Sequence, residues 1–381
     1  MLSRPGGSDR PVRVAHVNTA RDWRGGERQV FNLACSLNEQ PAVEQWMVAR
    51  RGSELASRGR AAGLRVVELP LRGEWDLWSA RQLGRLLHSE RIDFVHAHTA
   101  KAHSIGLFAL RHAPATRLIV SRRVDVPMRP GFFSRKKYYS DRIAAYIAIS
   151  KNVERVLLAD GISPEKIRVV YSGIDLEPFA VKKDRSLVEA LRRELQLQPN
   201  ALVMGNVAAL VGHKDQSTLL RSLAALPEDA PPHVLLVLGE GELRAELEAL
   251  ARELGLGAER LRFLGFRENI YDYYRLFDIF VMSSREEGLG TAVLDAMAAG
   301  LPVVSTAGGG IPEMIVPESG GLLVPVGDSD ALARALGRVL NDASLRAKMA
   351  NFNREKVKEF SYQATAAGTL DVYREFVGSV T

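Results

Sequence analysis

The chain has 381 residues, 46% of them hydrophobic, which is long for one core and ordinary for a globular protein, so two domains are expected. No apolar run approaches the roughly 18 residues that cross a bilayer, and the polar start MLSRPGGSDR precedes no apolar signal-peptide core. Cys35 is the single cysteine, which excludes a disulfide framework and fits a reducing cytosol.

The net charge of +6 conceals a split, with 29 Lys+Arg against 17 Asp+Glu in residues 1–176 and 22 against 28 in residues 177–381. A basic half suits an acidic small molecule, an anionic membrane or nucleic acid. No helix-turn-helix, RRM or zinc pattern is visible, so nucleic acid is not the expected partner.

In chain order, strand-like runs fall at 12–17, 43–48, 66–69, 94–96, 118–120 and 143–149, then at 202–207, 233–238, 261–263, 279–282 and 303–305. Amphipathic helical stretches such as 27–37, 79–90 and 242–254 lie between them. This alternation predicts an α/β protein with parallel sheets covered by helices. The final stretch, 362–376, reads as a helix.

Gly25, Gly26 and Glu27 follow the first strand and open a helix, without the third glycine of a dinucleotide fingerprint. The turn either presents N–H groups to a phosphate or hydroxyl or is a plain tight turn. His96, His98 and His103 fall within HAHTAKAH, where no Cys, Asp or Glu completes a metal set. Arg122 and Arg123 end the next strand as SRRVDVP. They suit an acidic or phosphorylated ligand and cannot act as bases. MRPGFFSRKKYY, with Arg129, Arg135, Lys136 and Lys137 among aromatics, is either a contact for an anionic bilayer or a solvated basic helix.

The most informative segment is DIFVMSSREEGLGTAVLDAMAAGLPVVSTAGGGIPE, residues 278–313. A strand, a loop with Glu287, Gly288, Leu289 and Gly290, a helix from Thr291, and a second strand after Gly300 and Pro302 make a βαβ unit. Its loop lies at the carboxyl end of the first strand, where open sheets bind ligands. The helix start suits a phosphate. The carboxylates of Glu287 and Asp295 suit sugar hydroxyls. A nucleotide sugar fits both, and an acidic surface loop capping a helix is the alternative.

Here the chain resembles glycosyltransferase family 4, retaining enzymes of the GT-B fold. The family's Glu, seven residues, Glu pattern is matched by Glu287 and by Asp295, one methylene shorter, with Ala296-Met297-Ala298, Gly300, Pro302 and Val303 behind it. Gly309-Gly310-Ile311-Pro312-Glu313 and Gly173-Ile174-Asp175 match further family patterns. The resemblance implies two Rossmann-like domains facing each other across a cleft. The first would be an acceptor-binding domain of residues 1–176 plus a returning helix, about 362–381, and the second a donor-binding domain of residues 177–361.

By resemblance, Lys214 contacts the donor diphosphate, Glu287 the donor sugar, Asp295 the ribose and Arg267 the base, with Gly26 and the turn Gly288 to Thr291 adding contacts. Ala209 stands where the family usually has an arginine. Gly25, Gly26 and His98 are the implied acceptor contacts, and Glu287, Lys214 and His98 the implied catalytic set. Where many relatives have a histidine this chain has Arg122 and Arg123, which by their own chemistry would clamp an anionic acceptor. Phe266, beside Arg267, is either part of a base site or core. The family's front-face scheme requires no metal and no cofactor beyond the nucleoside-diphosphate sugar. The expected acceptor is a glycan, lipid-linked or phosphorylated, in bacterial cell-surface polysaccharide or lipopolysaccharide synthesis, at the cytoplasmic side of the membrane. Two alternatives are a non-hydrolysing nucleotide-sugar epimerase on the same fold and a non-enzymatic basic binding module.

Overall fold

In the computed structural model of the chain, which describes residues 10–128, 131–180, 184–227 and 230–377, every strand of two sheets runs parallel to its neighbours. The first sheet contains β1 (Val12–Asn18), β2 (Val43–Arg50), β3 (Val66–Leu69), β4 (Phe94–Ala97), β5 (Arg117–Arg122), β6 (Ile143–Ala148) and β7 (Ile167–Val169), in the order β3-β2-β1-β4-β5-β6-β7. The second contains β8 (Leu202–Val207), β9 (His233–Leu238), β10 (Leu261–Gly265), β11 (Ile279–Met282), β12 (Val303–Thr306) and β13 (Gly321–Val324), in the order β10-β9-β8-β11-β12-β13.

Helices cover both sheets, so the strands are near-continuous apolar runs instead of alternating ones. All six residues of β6 are buried, and so are all four of β11. Side-chain caps start many of the helices. Ser53, Asp76, Thr99, Ser150 and Asp342 each accept a backbone N–H of the first turn, which satisfies donors that the helix itself leaves unpaired. Asp328-Ser329-Asp330 is an acidic pair of the kind that can hold a divalent ion. Here Asp328 caps the helix Ser329–Asn341, accepting from Ala331 N at 2.8 Å.

The chain divides into two units, residues 1–173 with 361–381 and residues 174–360. The helix Tyr362–Val377 belongs to the first unit and packs with the helix Gly25–Asn38 and β6. Its buried Ala366, Leu370, Val372 and Tyr373 join the core under β1, β4 and β6. At the end of the first unit's first segment stands Gly173, where a Cβ would lie 2.1 Å from the Ser361 carbonyl oxygen. Arg129, and the side chains of Phe132, Phe133 and Arg135 in the predicted basic segment, lie outside the described residues.

Each sheet is wound outward in both directions from a pair of central strands, β1 and β4 in the first and β8 and β11 in the second. At such a reversal the loops leave the sheet on opposite sides and open a crevice at the carboxyl ends of the strands. That rule places the loops after β1 and β4 together, and likewise the loops after β8 and β11.

Candidate functional site

In the second unit, the loop after β8 ends in a 3-10 turn, Gly212–Lys214, just before the helix Gln216–Ala224. The loop after β11 runs through Glu287 to the helix Thr291–Ala298. Lys214 Nζ lies 2.5 Å from Glu287 Oε1, and Ser284 Oγ donates to the same oxygen at 2.8 Å. Both side chains of the ion pair are largely buried. An ammonium has three donors and one of them is directed to Glu287, leaving capacity for phosphate oxygens.

The loop is held from several directions. Ser283 Oγ donates to the Lys214 carbonyl at 3.0 Å, and Arg285 N donates to the His213 carbonyl at 2.8 Å. Arg285 Nε also binds Asp215 Oδ2 at 2.8 Å. Asp215 is buried, which works against its charge, but hydrogen bonds from Arg285, Ser217 and Thr218 prevail and hold its carboxyl below the usual range. Three consecutive glycines press on the same loop from behind. A Cβ on Gly308 would lie 2.2 Å from the Ser284 carbonyl oxygen, one on Gly309 2.1 Å from that of Glu287, and one on Gly310 2.5 Å from that of Gly288.

The helix Thr291–Ala298 starts on Gly290, whose φ of 98° lies in the left-handed region. Tyr274 Oη donates to the Ala292 carbonyl at 3.1 Å. Asp295 is buried on this helix. Leu289 is buried too, so only its backbone is offered to a ligand. Arg267 is exposed at the end of β10, its Nε 3.1 Å from Tyr273 Oη. Phe266 is 70% exposed, which overturns the core alternative for that residue. Ala209 is exposed, and its carbonyl accepts from Gln216 Nε2 at 3.0 Å. Sequence reasoning missed Arg285, a cation that the 213–215 turn brings into this set. It also missed Gly239 and Gly241, where a Cβ would lie 1.9 Å and 2.2 Å from the carbonyl oxygens of Ala208 and Leu210 in the loop after β8.

In the first unit, β1 and β4 pair with His16 opposite His96. The histidine cluster is therefore His16, His96 and His98, whose ligand atoms lie within 4.8 Å of one another. His103 is elsewhere, packed edge-on against Tyr138 and Tyr146, so the grouping of His96, His98 and His103 gives way to one set by strand register. His98 Nε2 lies 3.0 Å from His16 Nδ1, and Arg123 Nη2 lies 3.4 Å from His98 Nδ1. A guanidinium only donates, so His98 accepts at Nδ1 and donates from Nε2 to His16. His96 is fixed by Tyr373 Oη at 2.6 Å and Ser121 Oγ at 2.7 Å.

Burial drives the cluster toward the neutral form. His16 is pushed down to about 3 by burial and then by the Arg123 charge. His96 and His98 also lie well below the ordinary range, burial first and then neighbouring histidines and Arg123. Every ring nitrogen of His96 and His98 has a partner, and the Arg123 cation stands against a further positive charge there. His98 is thus a neutral group that holds Arg123. Arg123 also reaches Ser172 Oγ at 3.3 Å, and its Nε is buried without a partner. The arginine itself is pushed down to about 10 by burial, with Glu27 opposing.

Gly25 and Gly26 open the helix Gly25–Asn38, and a Cβ on either would meet nothing within 4 Å. Glu27 binds back to Arg24 N at 3.2 Å and accepts from Asn18 Nδ2 at 3.4 Å. Cys35 is half-buried, and burial pushes its thiol up to about 11, which suits packing and not nucleophilic chemistry.

Two parallel, doubly wound domains, with an acid–lysine pair at the switch point of the second, fit a glycosyltransferase of the GT-B type, and the comparisons with known proteins show that class. Residues 23–178 match the family model described as Glycosyltransferase Family 4, and residues 188–356 match that described as Glycosyl transferases group 1. The chain belongs to this glycosyltransferase family. The D-inositol 3-phosphate glycosyltransferase of Xylanimonas cellulosilytica is 30% identical over 406 residues, covering 98% of this chain and 94% of that one. The lipopolysaccharide core biosynthesis glycosyltransferase LpsE of Rhizobium meliloti is 34% identical over 189 residues, covering 49% and 53%. Among solved structures, Anabaena Alr3699/HepE in complex with UDP and glucose matches with a TM-score of 0.80 at 21% identity, covering 94% and 98%. A glycosyltransferase from Rickettsia africae ESF-5 matches with a TM-score of 0.84 at 19% identity, covering 97% and 99%.

Proposed function

We propose that the enzyme transfers a sugar from a nucleoside-diphosphate sugar to a glycan, lipid-linked or phosphorylated acceptor, with retention of anomeric configuration and without a metal. The observation that carries this reading is the Lys214–Glu287 pair, set beside the start of the helix Thr291–Ala298. An anion-binding helix start, a lysine and a hydroxyl-seeking carboxylate within one loop cluster fit a ligand that has both phosphate and sugar. The Anabaena complex with UDP and glucose and the inositol-phosphate and lipopolysaccharide relatives support the donor and acceptor classes.

In this reading the second unit holds the donor. Glu287 accepts from donor-sugar hydroxyls. Lys214 and the backbone of Gly288 to Thr291 stabilise the departing diphosphate, Asp295 holds the ribose and Arg267 lies against the base. Arg285 supplies the second cation that Ala209 lacks. The first unit holds the acceptor through Gly25, Gly26, Arg122 and Arg123, with His98 as a positioning residue. The acceptor oxygen bonds to the anomeric carbon on the face from which the diphosphate leaves, and the departing phosphate takes the hydroxyl proton. The protein contributes orientation and charge stabilisation. No described helix is long and apolar enough to cross a membrane, and we place the enzyme at the cytoplasmic face, working on cell-surface glycan precursors.

Transfer by Glu287→Ala, measured by product formation with saturating donor, is expected to fall about a hundredfold. Full transfer by that variant would overturn the assignment. Conversion of donor with no acceptor present would favour the epimerase alternative instead.

A further inference from the structure

A groove of about 1640 Å³ lies in the first unit, larger than the roughly 300–1,000 Å³ of ordinary small-molecule clefts. Its walls are largely apolar and include Trp75, Leu107, Phe108, Leu110, Val124 and Val126. Trp75 is 66% exposed and packs on Phe108 with ring centroids 5.6 Å apart, and Val126 is 57% exposed. Ten large hydrophobic side chains are exposed among the described residues. Four of them, Trp75, Val124, Val126 and Tyr139, line this groove. Such clustering marks a binding surface, since exposed apolar residues are otherwise scattered singly.

The groove is also basic, with five cationic side chains against the carboxylates of Glu74 and Asp141. Arg122 has its Nη2 on the Val126 carbonyl, while its Nε is buried and has no partner. Lys137 Nζ donates to the Ala100 carbonyl at 2.7 Å, and Glu74 stands 3.5 Å away. Burial pushes the Lys137 ammonium below its ordinary range, with Glu74 opposing and Arg122 adding to the shift. Two cations therefore stand near enough for their charges to oppose each other at an apolar channel, with Glu74 the acid that reaches Lys137, an arrangement that a bound anion would stabilise.

We propose that this groove binds the lipid phosphate of the acceptor, with an isoprenoid or acyl chain along the apolar walls and the phosphate on Arg122 and Lys137. The inference rests on the reading of the acceptor as lipid-linked and anionic, and it assigns the part of the molecule that holds the lipid. It explains why apolar and cationic side chains share one surface, which neither a soluble sugar nor inorganic phosphate would require.

The test uses the full chain and farnesyl phosphate below its micellar concentration, followed by calorimetry. Saturable binding is expected, at least tenfold tighter than that of farnesol or of inorganic phosphate. Val126→Asp and, separately, Trp75→Ala are expected to weaken it at least tenfold, because both side chains are exposed and the fold does not depend on them. The thermal shift produced by uridine diphosphate is expected to be the same in both variants and the parent. No saturable binding of farnesyl phosphate, or unchanged binding in both variants, would overturn the proposal. So would binding confined to anionic phosphatidylglycerol vesicles, which would make the surface a bilayer contact. Lipid binding without any nucleotide shift would leave the groove standing and remove the donor reading.

Discussion

Lys214 and Glu287, 73 residues apart in the chain, meet through a 2.5 Å contact between Nζ and Oε1. The order of β8 and β11 at the centre of the second sheet brings them together. Because Ser284 also donates to Glu287, removal of the lysine leaves the carboxylate with one partner. Lys214→Ala is therefore expected to cost about 1–2 kcal/mol of stability, a modest fall in Tm by calorimetry. A fall too large for the variant to fold would show the pair to be structural first.

Gly309 tests the rigidity of the Glu287 loop. Its φ of 57° is left-handed, and a Cβ would lie 2.1 Å from the Glu287 carbonyl oxygen. Gly309→Ala is expected to destabilise by about 1–3 kcal/mol and to lower activity more than Tm, because the loop carrying Glu287 must shift. Unchanged kcat and Tm would contradict the packing described.

The buried histidines predict a direction for pH. His16 and His103 are pushed down to about 3, and His96 and His98 lie well below the ordinary range, burial being the first cause in each. The unfolded chain binds protons near pH 6.5 that the folded chain refuses, so stability is full above about 6.5 and falls as pH drops below it. Each such group contributes up to about 1.4 kcal/mol per pH unit. Asp215, held below the usual carboxylate range, adds a loss of the same sign only below about pH 4. Urea midpoints are expected to fall between pH 8 and pH 5. An equal or higher midpoint at pH 5 would contradict this.

Tyr373 ties the final helix to the cluster through its 2.6 Å contact with His96 Nδ1. Tyr373→Phe keeps the ring in the core and leaves His96 Nδ1 unpartnered, at a cost of about 1–3 kcal/mol. Chemical denaturation checks it, and an unchanged midpoint would mean that the contact adds nothing.

The parts of the fold visible in sequence were those with local cause. Long apolar runs alternating with amphipathic stretches marked most strands, and Gly300 and Pro302 marked the end of the helix Thr291–Ala298. The four residues of β13 follow Gly320 and begin with a second glycine, Gly321, and offered too little periodicity to read. Glu287, Lys214 and the Gly309-Gly310 pair were legible as motifs, whereas their mutual packing is a product of strand order. The pairing of His16 with His98 and that of Arg285 with Asp215 join residues 82 and 70 positions apart. No local pattern encodes them. Phe266 shows the opposite limit, since an aromatic at a strand end looks the same in sequence whether it is core or, as here, exposed.

The central claim is that the Lys214–Glu287 site holds a nucleoside-diphosphate sugar. Calorimetric titration of the protein with a panel of nucleoside diphosphates and their sugars tests it most directly. We expect saturable binding of at least one diphosphate, weakened at least tenfold by Lys214→Ala, with Glu287→Ala weakening the sugar nucleotide more than the bare diphosphate. Binding of none of them, or affinities that neither variant changes, would contradict the account.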